Sequence, residues 1–180
     1  MSGEIEMGTQ KIFESLKNNQ NIVVSCRAEG CNKLKQQICQ ESHKTFNKVF
    51  LISFSKISPD QIKKFNEEKG EHCYYFLDCF PSKLVSETKG YMHIASPTSL
   101  IELSAKINRL LRKERIDMIF LDNISSMLIY NDDVKVMQFL HSLMNKLRGT
   151  KTKAVYMNTT GKGKHLLPDI AMFADDIIRI

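Results

Sequence analysis

A mostly apolar run from 116 to 121, followed by a carboxylate at Asp122, constrains the fold more than any other stretch. Its large residues do not alternate strictly with polar ones, which is typical of a strand buried on both faces in a parallel sheet. A carboxylate at the carboxyl end of such a strand faces the crevice in which open α/β sheets bind ligands. Alternatively, Asp122 only caps the following turn.

Apolar segments and amphipathic helical segments alternate along the whole chain. The predicted strands are 22–26, 48–54, 74–79, 91–95, 116–122, 153–158 and 176–180. The predicted helices are about 5–17, 34–42, 59–69, 97–111, 132–147 and 168–174. This alternation predicts an α/β domain with a mainly parallel sheet and right-handed crossovers. There is no internal repeat or linker, so residues 1–180 are predicted to form a single domain.

Length and composition limit the size of the core, the cellular compartment and the kinds of partner that we expect. The chain has 180 residues, enough for one sizeable core, and it contains no run of eighteen apolar residues, so no membrane span is expected. The acidic N-terminal segment lacks an apolar stretch, so we expect no signal peptide. The five cysteines are odd in number and form no CxxC pair. This favours free thiols in the reducing cytoplasm. The net charge of +6 permits an anionic partner without requiring one.

The segment after the first strand has the layout of a worn phosphate-binding loop. In the pattern G-x-x-x-x-G-K-[ST], Ser25 takes the first glycine, Gly30 the second, Cys31 the lysine and Asn32 the hydroxyl residue. Lys33 follows one residue late, about 100° further around the helix, and cannot simply substitute. Backbone amides at the helix N-terminus remain able to bind an anion. The alternative is an ordinary β–α turn in which Gly30 supplies a positive φ.

The order of these parts resembles a RecA-type P-loop ATPase domain, and specifically its KaiC-like branch. The worn loop at 25–33 stands at the place of the Walker A loop, 50–62 is similar to a KaiC-type strand and Ser-Pro segment, and 121–128 resembles the Walker B run. Segments 96–100 and 128–133 look like parts of an archaeal RecA-like family with worn phosphate loops. The resemblance implies a RecA-like three-layer α/β/α fold.

The resemblance also implies which site residues remain. Ser55 and Lys56 stand where KaiC-like ATPases carry the carboxylate pair that activates the attacking water, so the general base is missing. Asp122 takes the place of the Walker B aspartate and Asn158 that of a polar sensor residue, although each is also interpretable as a capping or turn residue. The expected vestigial nucleotide site comprises Gly30, Cys31, Asn32, Lys33, Asp122 and Asn158.

Three functional hypotheses follow from the resemblance. The first is a non-hydrolysing regulatory or protein-interaction module, a pseudo-ATPase without a cofactor that binds a protein partner or a second copy. The second is a weak ATP- and Mg²⁺-binding enzyme, in which Lys33, or Lys162 and Lys164 of a neighbouring subunit, replaces the lost lysine. The third is a RecA-like nucleic-acid-binding protein that uses Lys162 and Lys164, which give salt-sensitive and sequence-independent binding.

Overall fold

The computed structural model describes residues 2–55, 74–80, 90–161 and 163–180. The predicted helix at 59–69 lies outside the described residues, as do Lys56 and Lys162. None of the described helices is long and apolar enough to cross a bilayer.

Strands and helices alternate as predicted. The strands are β1 (Asn21–Cys26), β2 (Val49–Ser53), β3 (Tyr74–Asp78), β4 (Tyr91–His93), β5 (Met118–Asp122), β6 (Lys153–Thr159) and β7 (Asp176–Arg179). The described α-helices are α1 (Ser2–Asn18), α2 (Ala28–Thr45), α3 (Leu100–Lys113), α4 (Ile124–Met127), α5 (Asp133–Arg148) and α6 (Leu167–Ile170), and a 3₁₀ turn covers Lys164–Leu166.

The seven strands of the described residues are parallel and form one sheet in the order β4-β3-β2-β5-β6-β1-β7. The predicted parallel sheet is therefore confirmed. The opening apolar run supplies β5, which lies between β2 and β6 and is buried along its length. Because every strand points the same way, all the carboxyl ends meet at one edge of the sheet.

The helices cover both faces of the sheet, which gives the three-layer architecture. On one face α1 and α2 pack on a core that includes Ile12, Ile38 and Phe120. On the other face α3 and α5 pack on a core that includes Ile107 and Leu140. Burial on both faces explains why the strands read as continuous apolar runs.

Local sequence signals set the helix boundaries on the second face. The Ser99 side chain accepts a hydrogen bond from the backbone N–H of Glu102 and caps α3. The Asp132 side chain accepts one from the N–H of Lys135 and caps α5. Both are typical N-cap contacts, which satisfy amides that have no partner within the helix.

The structure corrects one boundary that matters for function. The sequence predicted a polar turn over 27–33 and a helix from 34, whereas α2 begins at Ala28. Gly30 lies inside α2. The positive-φ glycines of the described chain are Gly90 and Gly161, so Gly30 does not have the positive φ that the turn interpretation required. The short segment α4 was not predicted either.

Truncation of the central strand tests its place in the core. Phe120 is 1% exposed in β5, so Phe120→Ala is expected to lower the free energy of unfolding by about 3 kcal/mol or more through lost burial and a cavity. Ile101→Ala, at a side chain 87% exposed, is the matched control and should change it little. Chemical denaturation measures both, and equal effects would contradict the central position of β5.

Candidate functional site

Only one residue joins the first strand to the helix that follows it. β1 ends at Cys26 and α2 begins at Ala28, with Arg27 in extended backbone between them. The Arg27 side chain makes no capping hydrogen bond, and the Gly30 N–H donates to the Arg27 carbonyl at 3.1 Å. The segment from residue 28 onward, which the motif predicted to be a loop, is therefore helical.

A disulfide between Cys26 and Cys31 spans this junction, with 5.9 Å between the two Cα atoms. The expectation that all cysteines are free thiols is wrong for this pair, whereas Cys39 and Cys79 are free and buried. The pairing was missed because a strand end and the first helical turn come together only after folding, and spacing alone does not give connectivity. Cys31 Sγ also lies 3.2 Å from Thr159 Oγ1, which connects α2 to the end of β6.

Asp122 is paired with a lysine that the motif comparison did not single out. The Lys35 ammonium donates to Asp122 Oδ2, and the Ser53 hydroxyl donates to the same oxygen at 3.3 Å. Asp122 is 2% exposed, and Ser53 is its neighbour across the β2–β5 ladder. A buried carboxylate requires such compensation, because charge transferred out of water is costly.

Helical geometry explains why Lys35 reaches this carboxylate. Lys35 follows Cys31 by four residues, and positions i and i+4 share one face of a helix. Cys31 stands at the motif position of the lost lysine, so Lys35 lies on the same face one turn later. That spacing was the signal available in the sequence, and Lys33 was the wrong neighbour to weigh.

Asn158 is held by its own surroundings. Its Oδ1 accepts a hydrogen bond from Ser125 Oγ at 2.9 Å, and its Nδ2 donates to the Gly163 carbonyl at 3.3 Å. A Cβ atom on residue 163 would lie 2.1 Å from Asn158 Oδ1, so the close packing of this turn requires glycine. The amide of Asn158 is buried and both of its ends have partners.

Hydrogen bonds of the Asn123 side chain link the turn after β5 to the end of β6. Asn123 Oδ1 accepts from the N–H groups of Ser125 at 3.1 Å and Thr159 at 3.3 Å, and Asn123 Nδ2 donates to Thr159 Oγ1. The Thr159 carbonyl oxygen lies 2.9 Å from Ser125 Oγ and shares the single hydroxyl proton of Ser125 with Asn158 Oδ1. Asn123 thereby caps α4, the role that was the alternative interpretation for Asp122.

A second buried carboxylate lies at the same edge. Asp78, at the end of β3, accepts hydrogen bonds from the Phe80 N–H at 2.8 Å and the Tyr91 hydroxyl at 3.0 Å. Desolvation raises the pKa of Asp78, and these two hydrogen bonds oppose the rise. Desolvation, with the nearby Asp78 charge, raises the pKa of Tyr91 to about 12.

The structure brings some of the six predicted site residues together and separates others. Asp122 and Asn158 lie at the ends of adjacent strands β5 and β6. Gly30 and Cys31 lie in the first turn of α2, and Cys31 is in the disulfide. Asn32 and Lys33 are exposed on the same helix. The site residues that sequence reasoning missed are Lys35, Ser53, Asn123, Ser125 and Thr159.

The comparisons with known proteins support the fold. No protein-family model matches the sequence, and no curated protein is significantly similar to it. The structure is similar to the crystal structure of a KaiC-like protein from the hyperthermophilic archaeon Pyrococcus horikoshii, with a TM-score of 0.61 and 14% sequence identity. The match covers 89% of this chain and 72% of that one. The chain therefore has a RecA/KaiC-like α/β/α fold, as the sequence resemblance implied.

The Lys35–Asp122 pair can be tested by a double-mutant cycle. Lys35→Met leaves a nearly buried carboxylate without its cation and is expected to lower the free energy of unfolding by about 3 kcal/mol or more. Lys35→Met/Asp122→Asn should cost less than the sum of the two single changes, because neither charge is then left uncompensated. Lys17→Met, which removes an exposed pair with Glu14, is the control and should change little. The coupling would be contradicted if the double variant lost as much free energy of unfolding as the two single variants lose together.

The disulfide makes a separate prediction. The intact mass after denaturation without reductant should be about 2 Da below that of the fully reduced chain, with Cys26 and Cys31 in one linked peptide. The double change Cys26→Ser/Cys31→Ser should lower the free energy of unfolding by about 2 kcal/mol, because the unfolded chain loses a closed loop. Excess reductant should lower the stability of the wild type similarly and leave the double variant unchanged. Labelling of both cysteines in the unreduced protein would contradict the pairing.

Proposed function

We propose that this chain is a non-hydrolysing RecA/KaiC-like module that acts by binding a protein partner or a second copy. The observation that carries the proposal is the contact between the Lys35 ammonium and Asp122. Asp122 is the carboxylate that the resemblance assigns to Mg²⁺. A cation of the chain itself already neutralises it.

The residues around Asp122 do not fit a Mg²⁺–nucleotide. Mg²⁺ in nucleotide sites is held by one or two carboxylates together with phosphate oxygens, waters and a loop hydroxyl. Asp122 Oδ2 is engaged by Lys35 and Ser53, and Asn32 stands where the hydroxyl residue belongs. Mg²⁺ could bind Asp122 only if the Lys35 ammonium moved away from this carboxylate, which is almost fully buried.

The β1–α2 junction adds a second reason. A phosphate-binding loop surrounds its ligand with backbone amides over several residues between strand and helix. Here Arg27 alone separates β1 from α2, and the Cys26–Cys31 disulfide fastens the helix start to the strand end. The amide of Gly30 is already used within the chain.

Hydrolysis would also lack its base. Ser55 occupies one of the two positions of the water-activating carboxylate pair, and its N–H donates to Ser53 Oγ at 3.1 Å. A positioned general base contributes about 10²–10⁴-fold in rate. Loss of this group together with the phosphate-loop lysine argues against useful turnover.

Exposed apolar side chains beside the carboxyl edge support partner binding. Val134 at the start of α5 is 65% exposed and Met172 after α6 is 85% exposed. Together with Met137 and Phe173 they line one shallow surface. Clustered apolar exposure of this kind is typical of surfaces that bind other proteins.

The decisive experiment combines calorimetric titration of ATP and ADP, with Mg²⁺ present, and steady-state phosphate release. The wild type is expected to give no saturable heat and no turnover above the buffer rate. Lys35→Met is expected to gain measurable Mg²⁺ affinity, because it frees the carboxylate of Asp122, and Lys17→Met is its control. Turnover in the wild type that disappears in Asp122→Ala would overturn the proposal and favour the ATP-binding alternative.

A further inference from the structure

Exposed cations gather at the amino-terminal edge of the sheet, opposite the candidate site. The helices run antiparallel to the strands, so the last turns of α3 and α5 reach this edge together with the connections to β5 and β6. We call the following exposed residues the basic edge: Arg109, Arg112, Lys113, Arg115 and Lys151. Neither the RecA-like resemblance nor the proposed function involves them.

Hydrogen bonds place the parts of the basic edge side by side. Thr152 Oγ1 donates to the Ile116 carbonyl at 2.8 Å, so the residues immediately before them, Lys151 and Arg115, lie in the connections that lead into the adjacent strands β6 and β5. Arg109 and Arg112 are three residues apart and share a face of α3. The edge therefore presents arginine and lysine from one helix and two connections.

The carboxylates near this edge are already engaged. Glu114 accepts a hydrogen bond from the Lys48 ammonium at 2.6 Å. Asp117 Oδ2 accepts from the backbone amides of residues 47 and 48. Asp175 lies 3.5 Å from Arg148 and accepts from the backbone amides of residues 20 and 21. Lys48 and Arg148 therefore balance the charges of Glu114 and Asp175. Asp117, whose partners are neutral amides, offsets only one of the five positive charges of the basic edge.

Helix electrostatics accounts for only part of this arrangement. Cations in the last turn of a helix interact favourably with its dipole, which explains Arg112 and Lys113. Arg115 and Lys151 lie beyond the helices, in the connections to β5 and β6, and gain little from either dipole. The helix dipole therefore does not explain why Arg115 and Lys151 lie beside the cations of α3.

The chemistry of the basic edge identifies the class of partner. The exposed large apolar residues of the described chain are Met7, Phe80, Ile101, Ile129, Val134 and Met172, and none belongs to this edge. A protein interface depends on buried apolar or aromatic anchors, a membrane-surface helix inserts apolar side chains, and single-stranded nucleic acid stacks on aromatic rings. None of these groups is available here. Arginine is suited to phosphate oxygens through its planar, fork-like donors.

We propose that the basic edge binds the phosphate backbone of a nucleic-acid duplex without reading its sequence. The surface lies at the opposite edge of the sheet from Asp122, so binding requires no nucleotide. It is also distinct from the carboxyl-edge turn that contains Lys164, which was the nucleic-acid candidate from sequence.

Fluorescence anisotropy with a labelled 30-base-pair DNA duplex tests this proposal. If three of the five cations contact phosphates, the slope of log K against log salt is about −2.7, and affinity falls about 40-fold between 50 and 200 mM salt. Arg112→Glu/Arg115→Glu is expected to weaken binding by about tenfold or more and to make the slope shallower by about 2. An unrelated duplex sequence should bind equally well.

Lys11→Glu/Lys164→Glu is the charge-matched control, since it changes the net charge equally at exposed positions away from the basic edge. It should retain affinity within about twofold, and thermal unfolding should show both double variants folded. The proposal is overturned if the wild type does not bind the duplex, if both double variants lose affinity equally, or if only the control loses it. Binding to phosphatidylserine vesicles without duplex binding would overturn it as well.

Discussion

The pairing of Lys35 with Asp122 connects the fold to the candidate site. The carboxylate lies at the end of the central strand, between two neighbours and almost out of water, where an unpaired charge costs several kcal/mol. Lys35 reaches it only because α2 begins directly after β1 and brings this residue over the carboxyl edge. The helix start, the disulfide beside it and the compensation of Asp122 are therefore parts of one arrangement.

The strands could be predicted from the sequence because burial on both faces of a sheet requires continuous apolar runs. The apolar runs that became β1, β2, β3, β5 and β6 were all identified, with ends within a few residues of those observed. The position of β5 between β2 and β6 was not available in the same way, since strand order depends on packing between distant segments. The resemblance to RecA/KaiC-like domains supplied the three-layer architecture, which the structural comparison supports.

The site was harder to predict because motif alignment assumes a conserved loop length. Laying the phosphate-loop pattern on 25–32 presupposed a loop, and it drew attention to Lys33 as the nearest lysine. Once the segment is helical, side-chain direction follows the i, i+4 rule, and Lys35 becomes the relevant cation. The Cys26–Cys31 pairing and the Asn123–Thr159 contact join residues from different elements, so no local pattern could have indicated them.

The two edges of the sheet differ in how their polar groups are satisfied, and this difference bears on function. At the carboxyl edge, Asp122, Asn158 and Asp78 have partners within the chain. At the amino edge, the nearby carboxylates are engaged and the cations of the basic edge face solvent. In such an internally satisfied crevice, a new contact with Asp122, Asn158 or Asp78 would replace an existing one. An external anion can therefore pair with the cations of the basic edge without displacing a contact of Asp122, Asn158 or Asp78.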